Sequence, residues 1–252
     1  MQIVAIIPAR YQSSRFPGKP LADINGKPMI QHVYERTRLC RKLDRVVVAT
    51  DDPRIAQTVA SFGGEALLTR DDHESGTDRI AEAADILQIE QDGIIVNVQG
   101  DEPLLEPTMI GQLIDTLKDF PDCPMATLAF ASSNQRQYAD PNVVKVVLDH
   151  RGQALYFSRS PLPYYRDGLP KALCFFKHLG FYAYRRDFLH TFTRLPQSPL
   201  ELAEKLEQLR ALEHGFAIQV AISATDTRGI DTPEDLLALL GEHSGDNSQQ
   251  QE

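Results

Sequence analysis

The sequence predicts an α/β protein: a mainly parallel sheet flanked by helices, carrying an inserted mixed α/β lobe. Three observations point to it. Short, β-branched apolar runs at 2–8, 45–49 and 93–98, with a weaker one at 65–69, are too brief for helices and read as buried strands. Amphipathic stretches near 28–41, 52–62 and 78–89 separate them, and this alternation predicts parallel strands joined by right-handed crossovers. The first run also feeds straight into a loop that carries Arg10, Arg15 and Lys19. In an open parallel sheet, ligands bind beyond the carboxyl ends of the strands, so a cationic loop at that edge suits phosphates.

The remaining elements follow in order. Asp52-Pro53 and Thr77-Asp78 read as helix starts and Gly63-Gly64 as a stop. An amphipathic helix at 107–119 precedes a strand near 125–131, which closes a core assigned to 1–131. From 132 to 197 the pattern changes to strand-like runs at 143–148, 154–157 and 179–184 around a Pro/Tyr-rich loop at 160–170, the expected inserted lobe. Residues 198–240 return to the core. Ser198 as N-cap and Pro199 at the first helical position open a helix to about 214. A strand follows at 217–222, and Thr232-Pro233 starts a last helix. The polar stretch 241–252 has nothing to bury and is expected to be disordered.

Composition narrows the function classes. With 252 residues, 42% hydrophobic and 24% charged, the chain is an ordinary globular one. The net charge of −9 argues against a nucleic-acid partner, which calls for a basic face. It also means that local cations, helped by a divalent metal, must hold any nucleotide against the global field. No apolar run approaches the roughly 18 residues of a membrane span, and the first residues read as a strand rather than a signal peptide. Cys40, Cys123 and Cys174 are odd in number and form no CxxC, which excludes a disulfide framework or zinc site and points to the cytoplasm.

The chemistry concentrates in four stretches. Gly18-Lys19 and Gly26-Lys27 are each followed by Pro, so neither is a Walker loop, and no G-x-G-x-x-G follows the first strand. A loop that grips a polyphosphate with side chains is the alternative, Arg10 and Arg15 bidentately and Lys19 as a point charge. A solvated basic turn is the competing reading. The run Val96-Asn97-Val98-Gln99-Gly100-Asp101-Glu102-Pro103 ends a buried strand and delivers Asp101 to the same edge. There a carboxylate suits Mg²⁺, which takes one or two carboxylates plus substrate phosphates, although an Asp in an ordinary turn would look the same. Asp231 lies just outside the last helix. Glu234 and Asp235 complement that helix dipole, leaving Asp231 for a metal. Finally, Ser75-Gly76-Thr77-Asp78-Arg79 offers backbone donors before a helix, or simply caps it.

Taken with Ile7-Pro8-Ala9-Arg10, Phe16-Pro17-Gly18-Lys19-Pro20-Leu21, Ala154-Leu155-Tyr156-Phe157-Ser158-Arg159, Lys177-His178-Leu179-Gly180, Leu206-Glu207-Gln208-Leu209-Arg210 and Asp231-Thr232-Pro233-Glu234-Asp235-Leu236, these stretches resemble the 3-deoxy-manno-octulosonate cytidylyltransferase family over residues 2 to about 240. The resemblance implies a Rossmann-like nucleotidyltransferase fold, a cytoplasmic homodimer and Mg²⁺ dependence. The implied reaction transfers CMP from CTP to the sugar acid Kdo, releasing pyrophosphate, for lipopolysaccharide biosynthesis. By match of motifs, Ala9, Arg10, Ser13, Arg15, Lys19, Ser75, Gly76, Arg79 and Gln99 would bind the nucleotide. Lys19, Arg10 and Asp101 would be catalytic, and Asp101 with Asp231 would hold the metal. Arg159, His178, Glu207 and Gln208 would bind the sugar.

The chain departs from the family pattern at 224–229 and in a short loop at 161–168, both near the expected sugar. Kdo and its 8-amino analogue therefore both stand as acceptors. A sialic acid is the rival acidic sugar. A sugar 1-phosphate would want more cations in the inserted lobe. A CTP-sensing module without turnover would not need Lys19, Asp101 and Asp231 together.

Overall fold

The computed structural model describes residues 1–12, 15–227 and 229–246. The first half alternates as expected: β1 (Ile3–Ala9), a small hairpin of β2 (Asp23–Ile24) and β3 (Lys27–Pro28), α1 (Met29–Arg38), β4 (Arg45–Thr50), α2 (Pro53–Ser61), β5 (Ala66–Leu68), α3 (Gly76–Ile86), β6 (Ile94–Asn97) and α4 (Pro107–Asp119). The second half runs β7 (Met125–Ser132), α5 (Gln135–Ala139), β8 (Lys145–Leu148), β9 (Ala154–Ser158), β10 (Phe175–Arg185), α6 (Arg186–Phe192), α7 (Pro199–Glu204), α8 (Leu209–Glu213), β11 (Ile218–Ser223) and α9 (Pro233–Asp246).

Strands are ordered β11-β7-β10-β6-β1-β4-β5, with β8 and β9 added beside β10. Neighbours along this order pair in parallel except around β10, which is antiparallel to β6 and β7; β10 also pairs antiparallel with β8, and β8 with β9. The sheet is thus mainly parallel, with one reversed strand at its centre. β1 shows why its sequence is apolar throughout: Ile3, Ala5 and Ile7 enter the core under α1, α2 and α4, while Val4 and Ile6 enter the core under α3, α6 and α8. This topology brings the carboxyl ends of β1, β4, β6, β7 and β11 and the amino end of β10 to one edge. Every stretch singled out for chemistry emerges at or near that edge.

Four expectations change. The stretch 132–197 does not stand apart as a lobe, because its β10 lies between β7 and β6 in the middle of the sheet. β10 also starts at Phe175 rather than near 179, since Phe175–His178 pair with Ser132–Ala129 before the register shifts between His178 and Tyr182. Gly180, at φ 74°, absorbs that bulge. The single helix expected over 199–214 is two, α7 and α8, broken where Lys205 takes φ 55° and lets both Leu206 and Leu209 reach the core. The last helix continues through Asp246, past the expected onset of disorder at 241; residues 247–252 lie outside the described ones.

Candidate active site

A cleft of about 290 Å³ opens at the carboxyl edge of the sheet, above Pro8 and Ala9 at the end of β1 and Gly100 after β6. Gly100 allows this close approach, because a Cβ would stand only 3.0 Å from the Pro8 carbonyl oxygen. The loop after β1 supplies one wall. It closes through the Gly18 N–H, which donates to the Tyr11 carbonyl at 2.8 Å, and Gly18 sits at φ +73°, in the left-handed region. A one-turn helix at Lys19–Leu21 then aims Lys19 inward. Arg10 and Arg15 also line the cleft, and Arg10 is exposed with no hydrogen bond or ion pair to a described residue. Ser13 lies outside the described residues.

Lys19 is the centre of charge. Its Nζ donates to Asp101 Oδ2 at 2.7 Å and to Asp231 Oδ1 at 3.3 Å, and Arg15 Nη2 reaches the same Asp231 oxygen at 3.1 Å. Two carboxylates more than a hundred residues apart in sequence therefore converge on one point. Asp231 gets there because Thr232 caps α9, its hydroxyl accepting from the Asp235 N–H at 3.2 Å, while the Ile230 N–H donates to the Asp101 carbonyl at 2.9 Å. The donor set, two hard carboxylate oxygens beside a phosphate-sized cationic cleft, fits Mg²⁺ sharing its coordination with substrate and water. It does not fit a structural site of protein ligands alone, and no cluster of three or more His, Cys, Asp or Glu suited to a metal occurs among the described residues. Behind Asp101, Glu102 is buried. Desolvation, then the Asp101 charge, push its carboxyl up to about 8.

Tyr11 was not singled out from the sequence, yet it organises this wall. Its ring would meet a Gly18 Cβ at 3.2 Å, and the Arg54 guanidinium lies 3.4 Å from its centroid, itself anchored on Asp52 at the start of α2. Tyr11→Leu is expected to raise the KM for the nucleotide roughly threefold, with Tyr11→Phe close to wild type; steady-state kinetics with both variants checks it.

The opposite wall is the amino end of α3. The Ser75 hydroxyl accepts from the Asp78 N–H at 3.1 Å and donates to its carboxylate at 2.9 Å, so α3 begins at Gly76 rather than at 77–78. Ser75 and Gly76 face the cleft where α3 presents its unpaired N–H groups. Arg79 also lines it but is 4% exposed and bound to Thr69 Oγ1 at 2.6 Å, the Arg70 carbonyl at 3.2 Å and Asp51 at 3.4 Å, so it fixes the 69–76 loop. His73 and Glu74, further lining residues, were missed. His73 is buried against Glu82. Their one signal was membership of the same polar loop as Ser75. Gln99 completes the floor, its Nε2 3.4 Å from Asn97 Oδ1.

The four residues expected to meet the sugar lie beside this cleft rather than in its lining. Glu207 lines a second groove that shares Glu74 and Ser75 with it, and accepts from the Thr77 hydroxyl at 2.5 Å. Desolvation raises the Glu207 pKa; its buried Oε1 accepts no hydrogen bond and has the Arg210 Nη2 3.8 Å away, and the Nε2 of buried Gln208 donates none. The break at Lys205 is what turns both inward, against a helix pattern that put them off the apolar stripe. Arg159 gives its guanidinium to the carbonyls of Glu204 at 2.7 Å and Pro141 at 3.0 Å, staying outside the cleft.

His178 is packed between the rings of Phe157 and Tyr182, with Nε2 2.9 Å from Thr127 Oγ1, and burial pushes its imidazole down to about 3. An unfolded histidine takes its proton near pH 6.5. Below that pH the unfolded chain binds the extra proton, so stability falls as pH drops from about 6.5 towards 3. Urea midpoints at pH 7.5 and 4.5 are expected to fall more for wild type than for His178→Gln; parallel profiles would mean a solvated imidazole.

Comparison with known proteins agrees with this geometry. The sequence model of the cytidylyltransferase family matches residues 4–222. A 3-deoxy-manno-octulosonate cytidylyltransferase of Syntrophobacter fumaroxidans is 64% identical over 240 residues, covering 95% of this chain and 96% of the relative. An 8-amino-3,8-dideoxy-manno-octulosonate cytidylyltransferase of a Shewanella species (strain W3-18-1) is 53% identical over 237 residues, covering 94% and 96%. Among solved structures, a CMP:2-keto-3-deoxy-manno-octonic acid synthetase complexed with CTP superposes with a TM-score of 0.90 at 48% identity, over 98% of this chain and 100% of the other. With its cationic loop, paired carboxylates and helix amino end gathered at one sheet edge, the chain belongs to the 3-deoxy-manno-octulosonate cytidylyltransferase family.

Proposed function

We propose that this chain activates an octulosonic acid, Kdo or its 8-amino analogue, by transferring CMP from CTP to the anomeric hydroxyl with release of pyrophosphate, a step towards lipopolysaccharide. The observation that carries the reading is the convergence of Asp101 and Asp231 on Lys19, flanked by Arg10 and Arg15, in one cleft. The P–O bond to pyrophosphate breaks as the sugar oxygen bonds to the α-phosphorus, so negative charge grows on the leaving group. Lys19, Arg10 and Arg15 are positioned to meet that charge. The N–H groups of α3 beside Ser75 and Gly76 add donors without adding charge. Mg²⁺ on Asp101 and Asp231 would supply further charge neutralisation and help the hydroxyl lose its proton.

The acceptor end is supported by two buried polar atoms that make no hydrogen bond, Glu207 Oε1 and Gln208 Nε2. An orphaned acceptor and an orphaned donor on adjacent residues suit sugar hydroxyls. His178, held neutral, offers a hydrogen bond rather than a charge. The choice of cytosine follows the names of the relatives, the homodimer follows the family resemblance, and the cytoplasmic setting follows the cysteine usage; no helix among the described residues is long and apolar enough to cross a membrane. Light scattering of the purified protein checks the dimer.

Pyrophosphate release from CTP and Mg²⁺, compared across Kdo, 8-amino-Kdo and a sialic acid, tests the reading. Release with an octulosonate is the expected result and also names the preferred sugar. CTP binding without release for any of the three would overturn the acceptor half, and release with the sialic acid alone would reassign it.

A further inference from the structure

Lys177 lies on β10, next to His178 but on the opposite face of the strand, and outside the cleft lining. Its Nζ donates to Asp226 Oδ1 at 2.7 Å and to the Thr227 carbonyl at 2.9 Å. The Lys177 side chain is 15% exposed and that of Asp226 33%, so this charge-assisted contact is partly shielded from solvent. Asp226 and Thr227 belong to the loop that leaves β11 and delivers Asp231. That loop is fastened a second time further on. The Ile230 N–H donates to the Asp101 carbonyl, and Gly229 packs so closely on Glu102 that a Cβ would come within 3.0 Å of its Oε1.

The carboxylate of Asp231 is half exposed and its hydrogen bonds among the described residues go only to the long side chains of Lys19 and Arg15. Its direction is therefore set by the main chain beneath it rather than by side-chain packing. A cation site tolerates little displacement of a ligand, and the groups that orient ligands matter nearly as much as the ligands themselves. Among the described residues, Lys177 is the one side chain of the central strand tied to this loop by hydrogen bonds.

We propose that Lys177 is a positioning residue for Asp231: it straps the 224–232 loop to β10, so that the strand bearing His178 on the acceptor side also sets the second carboxylate of the cation pair. This rests on the reading that Asp101 and Asp231 hold a divalent cation, and the test separates the two.

Mn²⁺ binding in the presence of CTP, read from the electron paramagnetic resonance signal of free Mn²⁺, is measured for the full chain without acceptor sugar. Asp231→Asn tests the cation reading and is expected to abolish tight binding; wild-type affinity in that variant would overturn the reading itself. Lys177→Met is expected to raise the Mn²⁺ dissociation constant roughly tenfold, in the range usual for losing an outer-shell partner. Asp226→Asn, which loosens the strap from the loop side, should shift it in the same direction, and Lys177→Arg should restore most of the affinity. CTP binding without metal should stay unchanged in all three. Wild-type Mn²⁺ affinity in Lys177→Met and Asp226→Asn would overturn the proposal while leaving the cation reading intact. An equal loss of metal-free CTP binding would overturn it too, since that marks a general loosening of the edge; if Lys177→Met does not fold, Asp226→Asn decides alone.

Discussion

Replacing Asp101 with asparagine is expected to lower Mg²⁺-dependent pyrophosphate release roughly 10³-fold while leaving the fold in place. The substitution is isosteric, and the side chain is 30% exposed, so neither a cavity nor a buried unpaired group is created. What disappears is one of the two negative charges that converge on Lys19. A carboxamide oxygen is a poor ligand for a hard dication, and the remaining Asp231, at the end of a loop, is left to hold it with phosphates alone. The Asp101 main chain, whose carbonyl accepts from Ile230, is untouched, so the Asp231 loop keeps that anchor. Turnover measured across a Mg²⁺ titration, beside a thermal melt, checks the expectation. A near-normal rate with an unchanged melt would remove Asp101 from the site.

The residues that line the cleft were legible because they come in contiguous runs at the ends of strands. β1 is apolar without alternation, as a doubly covered parallel strand must be, and Arg10 to Lys19 follow it directly. The same holds for β6 and Asp101. The residues proposed for the acceptor were harder, since their positions depend on backbone features that leave weak local signals. Lys205 breaks a helix in the left-handed region without glycine or proline to announce it, and only that break turns Glu207 and Gln208 inward. The bulge at Gly180 sets where His178 falls relative to Tyr182. β10 itself reads as part of a lobe because its partners are distant in sequence; nothing within 175–185 says that it will insert between β6 and β7. Contacts such as Arg54 on Tyr11, or Lys177 on Asp226, join residues more than forty positions apart and leave no mark in either segment.

Lys19→Met should separate charge stabilisation from cation binding, which Asp101→Asn cannot do. The side chain is 14% exposed and lies between two carboxylates, so its removal costs the leaving pyrophosphate a nearby positive charge. A loss of roughly 10²- to 10³-fold in kcat is expected, the scale of deleting one preorganised donor for developing charge. Cation affinity should move the other way or stay level. Lys19 neutralises Asp101 and Asp231 as they stand, and without it the pair attracts a dication more strongly. Methionine keeps the length and the apolar stem, so the one-turn helix at Lys19–Leu21 and the Gly18 closure have no reason to shift. Measuring kcat at saturating Mg²⁺ together with Mn²⁺ affinity resolves the two effects. A fall in both would place Lys19 as a scaffold for the carboxylates, and a normal kcat would leave Arg10 and Arg15 as the groups that meet the pyrophosphate.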